Sequence, residues 1–409
     1  MCCVLLCRWH LRCRGSVKAN TSILAGNSWK AVKWWEAGSK VPKRIGHIYD
    51  SITSWSNLYL AFKKACKHKK SKSETTEWMY NCEKYLFELQ TELKALGRGF
   101  PNPLSQDKES SRGDCGYKPQ PYKYFVIREP KERIISVAAF RDRVVHHALV
   151  NIIEPYFEAA FIKDSYATRK EKGLHLAVQA AQNYTCKYQW YLKLDIEKFF
   201  ASVNHEILLS LINRKIKDPA VMSLCRIILS NQTVSMGLGK NNGLQMGSRG
   251  LPVGNLTSQF FANIYLNKLD HFVKQTLGYQ AYVRYMDDFI MFSDNPQELK
   301  HALKQIELFV QQQLDLRIKP QSVQINRVSH GIPYLGYRIF PKLLRIRREN
   351  LKRCLKGIEK TEQAYIKGKI SAEVLYQSTR SRMGFIGYAR STQLLQSIWG
   401  RNQQAGLTV

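Results

Sequence analysis

From residue 44 onwards the apolar positions fall into helical stripes and short strand-like runs, whereas residues 1–43 show little period and are expected to be an N-terminal tail, disordered or not native. In "IYDSITSWSNLYLAFKKACKHKK", Leu58, Phe62 and Ala65 recur at helical spacing. "EWMYNCEKYLFELQTELKAL" predicts a second amphipathic helix with Met79, Leu86, Leu89 and Leu93 as its stripe. The stretch 97–123, rich in Gly, Pro, Ser and charge, predicts a loop. "YFVIREPKERIISVAAF" then places two β-rich runs around Glu129-Pro130-Lys131, a hairpin with basic residues near its tip.

"RDRVVHHALVNIIEPYF" is helical until Pro155, where the missing N–H and the ring of proline favour a stop. "LHLAVQAAQNY", "HEILLSLINRKI", "PAVMSLCRIILS" and "PQELKHALKQIELFVQQQL" are further helices, and "WYLKLDIEKFF" begins as a buried strand. After a Gly-rich turn, "TSQFFANIYLNKLDHFVKQTL" puts Phe261, Ile264, Leu269 and Phe272 on one side of a helix, with Thr257 or Ser258 able to cap its start. "AYVRYMDDFIMFSD" predicts strand, tight turn, strand, and "IPYLGYRIF" one arm of a hairpin. Residues 342–409 predict a helical lobe that carries Tyr365, Tyr376, Phe385, Tyr388 and Trp399.

Charge changes this picture. Among 409 residues, 63 are Lys or Arg and 32 are Asp or Glu, a formal net charge of +31. The last lobe holds 14 basic residues against 4 acidic ones. An excess of that size points to a polyanion, nucleic acid before an anionic membrane surface. The ten cysteines include no CxxC pair, which suits free thiols in a reducing compartment. Cys7, His10 and Cys13 fall short of the four ligands of a structural zinc site. "CCVLLC" is too short for a signal peptide, and no apolar run is long enough to span a bilayer. The expected location is cytoplasmic, with no membrane partner.

The candidate chemistry lies in carboxylates on strand ends. Asp287 and Asp288 sit between the apolar runs "YVRY" and "FIMF". Turns favour Asp, so a polar hairpin turn is one reading of the pair taken alone. Two adjacent carboxylates among apolar strand residues, however, repel and are costly to bury. A divalent cation resolves that conflict, and Asp195, which closes the apolar run "YLKL", offers a third ligand. Three such carboxylates suit two Mg²⁺ ions about 3.5–4 Å apart, the geometry for in-line attack at phosphorus.

The ordered set "REPKERII", "LDIEKFF", "LPVGNLTSQ", "YMDD" and "YLGY", followed by a basic helical tail, resembles a reverse transcriptase over about residues 44–409. The resemblance implies an α+β right-hand polymerase fold. Residues 44–190 would form fingers with early palm elements, 191–341 the palm with the catalytic core (an antiparallel sheet packed on helices), and 342–409 a basic helical thumb. "GLPVGNLTSQFFANIYLNKLD", "IREPKERIISVAAFRDRVVHHALVNIIEP" and "DSYATRKEKGLH" are similar to the reverse transcriptases of diversity-generating retroelements, with Glu171 where that family usually has Gly.

That resemblance implies RNA-directed DNA synthesis that is mutagenic at template adenines, copying a template-repeat RNA to diversify a target gene. It assigns Asp195, Asp287 and Asp288 to catalysis. Together with Ile196 they would hold two Mg²⁺ ions, for which Mn²⁺ can substitute. It assigns Lys131, Arg133, Phe200, Val253, Gly254 and Lys319 to the dNTP. Lys131 and Arg133 would hold the triphosphate, and Phe200 would exclude a ribose 2′-OH. Lys319 would protonate the leaving pyrophosphate. Val253 stands where many retroviral-type enzymes carry Gln, and cannot hydrogen-bond; as an alternative it is a packing residue. Arg143, Arg169, Lys172, Gly250, Ser258, Gln259, Tyr285 and Met286 fall to template and primer, with the two glycines letting backbone lie close under nucleotide and template base. The implied partners are template RNA, the RNA–DNA duplex, dNTPs and an accessory variability determinant protein. The competing readings are a retron, group II intron or defence-type reverse transcriptase of ordinary fidelity, and a non-catalytic RNA-binding protein with a palm fold.

Overall fold

The computed structural model describes residues 44–67, 69, 73–98, 116–128, 132–235 and 249–389. The tail, most of the loop expected over 97–123, Lys131 and Trp399 lie outside the described residues. One compact unit starts at Arg44.

Alternation along the central strands builds the platform for the site. β1 (Lys123–Ile127) and β2 (Arg133–Val137) form the expected hairpin. β3 (Trp190–Asp195), β4 (Tyr282–Tyr285), β5 (Asp288–Ser293) and β6 (Gln324–Arg327) make an antiparallel sheet in the order β4-β5-β3-β6. Successive side chains point to opposite faces. Leu192, Leu194, Phe289 and Met291 share one fully buried face, packed in the large core with the helices Leu256–His271 and Pro296–Leu314. Tyr191, Val283, Ile290 and Phe292 share the other, covered by the helix Leu174–Thr185 and a small sheet of β7 (Ile332–Tyr334), β8 (Tyr337–Ile339) and β9 (Leu344–Ile346). Asp195 and Asp288 stand at the open end of this second face.

Several elements differ from the sequence expectation. The helix expected around Met79 is two helices, Ser73–Tyr80 and Cys82–Arg98; Trp78 is buried there and Met79 lies 43% exposed. The helix Phe140–Glu158 runs through Pro155 instead of ending before it, because packing of Val144, Leu149, Ile153 and Phe157 spans the proline. Asn255, not Thr257 or Ser258, precedes the helix Leu256–His271, and both of those residues are buried within it. "IPYLGYRIF" supplies both arms of a hairpin, β7 and β8, turning at Leu335-Gly336. β9 falls inside the stretch expected to be helical; the long basic helix begins only at Arg348 and ends at Ile366, and a second spans Ala372–Gly387. That pair is tied back by Phe385 against Tyr337, and by Tyr388 stacked on His175 at 3.8 Å. Among the described residues no helix is long and apolar enough to cross a membrane.

Candidate active site

Strand register brings the carboxylates together. β3 runs antiparallel to β5 with Asp195 directly opposite Asp288, and β4 pairs with β5 with Tyr285 opposite Asp288. Met286 and Asp287 are therefore a two-residue turn. Met286 takes a left-handed backbone, φ 55°, which a side chain disfavours. The turn is held from beneath: Arg284 Nη1 donates to the Met286 carbonyl at 3.1 Å.

Arg284 is fully buried on the apolar face of β4, within a closed polar network. Its Nε and Nη2 reach the two oxygens of Asp270 at 2.7 and 2.6 Å, Nη2 also donates to Ser165 Oγ, and Tyr282 Oη donates to Asp270 at 2.8 Å. A fork-to-carboxylate pair of this kind is strong and directional. Sequence reasoning passed over Arg284, although a charge inside the apolar run "AYVRYM" is itself a signal, since a buried charge needs a partner. Lys193 is the second residue missed. Inside "YLKL" it points to the carboxylate face, with Nζ 3.3 Å from Asp288 Oδ1.

The electrostatics are those of crowded acids. Burial first, then the neighbouring Asp195 charge, raises Asp287 to about 6, while Arg133 pulls it back. Burial raises Asp288 to about 7; Lys193 opposes the rise and Asp195 adds to it. Asp288 Oδ1 is buried, with the Lys193 ammonium at 3.3 Å as its neighbour. Among the described residues no three His, Cys, Asp or Glu side chains converge as a ready ligand set for one ion. The aspartates are thus carried together on two strand ends and a turn without being closed on a single point. Their chemistry still fits divalent cations: burial and mutual repulsion, which Lys193 offsets only in part, are both relieved by further positive charge.

The other residues singled out from the sequence surround this centre unevenly. The Lys319 N–H bonds the Asp195 carbonyl at 2.9 Å, and Glu197 N–H bonds that of Arg317, which bridges Ile196 to Ile318 and leaves the Ile196 carbonyl outside the bridge. Phe200 is half-buried with its ring edge-on to Phe199, which is the core residue of the two. Arg133 begins β2, is exposed, and lies within electrostatic reach of Asp287.

The Gly-rich turn rests against protein on both sides. Gly250 N–H bonds Val203 O, and Leu251 N–H bonds Phe200 O. The Val253 carbonyl accepts from Ser136 N–H of β2 at 2.8 Å. Gly250 and Gly254 have φ of 102° and 115°, and a Cβ at Gly254 would meet Ile135 at 2.8 Å and Ser136 O at 3.0 Å. What passes close to Gly254 is therefore strand β2.

Arg143 is held by Glu74 at 3.1 Å and lies over the Phe140 ring. Arg169 is bidentate to Glu158 and also donates to the Ile162 and Ser165 carbonyls. Lys172 lies over Tyr166 and donates to Lys163 O. Ser258 is 1% exposed, whereas Gln259, Tyr285 and Met286 are half-exposed.

Glu171 takes φ 56°, so the loop keeps the left-handed turn that glycine usually provides, at a cost in strain. Glu171→Gly is expected to stabilise the protein by about 1 kcal/mol, read as a higher urea midpoint at unchanged slope. A lower midpoint would mean that the Glu171 side chain contributes more than the strain removes.

Comparison with known proteins places this geometry. The family model described as "Reverse transcriptase (RNA-dependent DNA polymerase)" matches residues 120–339. Protein YkfC of Escherichia coli is 25% identical over 265 residues, covering 55% of this chain and 68% of that one. The group II intron-encoded protein LtrA of Lactococcus lactis is 25% identical over 306 residues, covering 59% of this chain and 50% of that one. The chain thus spans half the length of LtrA. Among solved structures, apo telomerase from Candida tropicalis aligns at a TM-score of 0.46 and 12% identity, over 78% of this chain and 63% of that one.

Proposed function

We propose, on the premise that this chain belongs to the reverse transcriptase (RNA-dependent DNA polymerase) family, that it copies an RNA template into DNA at Asp195, Asp287 and Asp288, and does so unfaithfully at template adenines. The observation that carries the polymerase reading is the register that sets Asp195 opposite Asp288 beside the Met286-Asp287 turn. Mg²⁺, with Mn²⁺ able to substitute, would be held by the three carboxylates and the Ile196 carbonyl, and when bound supplies Lewis-acid stabilisation of the phosphate charge.

The chain's own residues do the rest. Arg133, at the start of β2, and Lys131 grip the dNTP triphosphate. The half-buried Phe200 ring closes the space a 2′-OH would need. Gly254, tight against β2, brings Val253 to the nucleotide pocket, and Lys319, anchored beside Asp195, holds a proton for the departing pyrophosphate. Lys172, Gln259, Tyr285 and Met286 meet template and primer near Gly250. Arg143, Arg169 and Ser258, committed within the protein, brace the segments that do so.

Support for the diversity-generating reading is the stretch "GLPVGNLTSQ" with Val253 in place of a hydrogen-bonding residue. In this reading the template is a template-repeat RNA and an accessory variability determinant protein assists. The intron-encoded relatives favour a second reading, a reverse transcriptase of ordinary fidelity. Sequencing cDNA copied from one defined RNA separates the two. Errors concentrated opposite adenines, and reduced about fivefold in Val253→Gln by a contact of about 1 kcal/mol, support the mutagenic enzyme. Evenly accurate cDNA from the unaltered protein supports the second reading.

A further inference from the structure

We propose that the cavity between β6, β8, β9 and the start of the helix Arg348–Ile366 binds the phosphodiester backbone of an RNA strand, apart from the catalytic carboxylates. The inference rests on the polymerase reading for the identity of the nucleic acid. The cavity measures about 510 Å³ and is lined by Arg338, Arg345, Arg347, Arg348 and His330, with Glu349 as its one carboxylate. That carboxylate is already taken, by Arg347 Nη2 at 2.7 Å.

Three features load this cavity with positive charge that the described protein does not neutralise. First, Arg338 and Arg345 stand directly opposite one another on β8 and β9, a cross-strand pairing of like charges that is unfavourable by itself. Both guanidiniums lie over the Phe340 ring, at 5.9 and 5.7 Å, and Phe340 is fixed against Gly331, where a Cβ would come within 2.5 Å of it. Second, Arg338 donates only to a neutral acceptor, the His330 carbonyl, at 2.8 and 3.2 Å. Third, the 19-residue helix opens onto the cavity with Arg348 as its first residue, next to the Glu349-paired Arg347 at its N-cap. Helix starts favour acids and anions; Glu349 in the first turn meets Arg347, and a bound anion would meet Arg348.

The shape suits a chain of phosphates better than one small anion. The guanidiniums are spread over two strands and a helix start, and each presents a planar fork to phosphate oxygens. The register sets the distance from the chemistry. Asn326 and Gln324 line the cavity and pair with Tyr191 and Lys193 of β3, so the cavity lies two to four residues back from Asp195, roughly 7–13 Å along the strand.

The test is RNA binding as a function of salt. Anisotropy of a labelled, unstructured 20-nucleotide RNA would be titrated with the 409-residue chain from 0.05 to 0.3 M KCl. The paired substitution Arg338→Gln/Arg345→Gln is expected to weaken binding about tenfold and to lower the slope of log K against log salt by about 1.4, two phosphates at ~0.7 each. Arg338→Lys/Arg345→Lys keeps both charges and should keep the slope. Lys300→Gln/Lys304→Gln, exposed on the helix Pro296–Leu314, removes the same charge elsewhere and should leave it unchanged. An unaltered slope in the Gln pair, or an equal fall in the Lys300/Lys304 control, overturns the proposal. Loss of affinity for inorganic phosphate without a change in the RNA slope also overturns it, leaving a small-anion site. Arg345→Gln alone, at about half the effect, guards against misfolding of the pair. Primer extension by the unaltered protein runs alongside. No cDNA with the slope effect intact sinks the polymerase reading alone; cDNA with no slope effect sinks this site alone.

Discussion

Asp288→Asn is expected to abolish cDNA synthesis, by about a thousandfold or more, and in the same protein to raise the melting temperature measured in EDTA at pH 8. The two effects share one cause. Asp288 is raised to about 7 by burial and by Asp195, with Lys193 only partly offsetting them. A carboxyl raised in the folded state carries a penalty that builds as pH rises from its unfolded value near 4 and is complete above about pH 7, so it fades as pH falls back toward 4. Asn keeps the shape and removes the charge. The gain should be about 2 °C at pH 8 and shrink toward pH 5. Added Mg²⁺ should stabilise the unaltered protein and not the variant. A variant that melts lower at pH 8 would show that the ion pair with Lys193, at 3.3 Å, outweighs the repulsion.

Arg284→Met is expected to cost about 3–5 kcal/mol of stability, because it leaves Asp270 buried without its cation. Restoring neutrality with Asp270→Asn in the same chain should recover much of that loss, since a buried pair contributes little net stability compared with uncharged replacements. Activity should not recover with it. Met286 keeps a left-handed backbone at φ 55°, and the Arg284 contact to its carbonyl is what pins the turn that carries Asp287. Urea unfolding and primer extension on the two variants separate fold from turn. A double variant that regains full activity would show that Arg284 serves stability alone. Arg284→Lys should fail on both counts, because an ammonium cannot reproduce the fork that spans Asp270, Ser165 and Met286.

What could be read from the sequence follows from which interactions are local. The turn between β4 and β5, the buried run of β3, and the stripe of Leu86, Leu89 and Leu93 follow from period and turn chemistry, and each stands as expected. Asp195 and Asp287-Asp288 were legible because carboxylates interrupt apolar strands. β9 was not: Leu344 and Ile346 alternate with Arg345 and Arg347, and only pairing to β8 makes "LRI" a strand. Pro155 misled because tertiary packing outweighed a local helix stop. The glycines at 250 and 254 were legible as a close approach, but not what approaches Gly254, since β2 lies more than a hundred residues away in the chain. Arg143 and Arg169 look like free phosphate ligands in the sequence. Their partners Glu74 and Glu158 are met only in the fold.

The most direct measurement is primer extension on a defined RNA template with all four dNTPs, in Mg²⁺ and in EDTA, with Asp288→Asn beside the unaltered protein. The account predicts full-length cDNA from the unaltered protein in Mg²⁺, none in EDTA, and none from the variant although it still binds the RNA. Equal cDNA from the variant, or RNA binding by the unaltered protein without any cDNA, would contradict it.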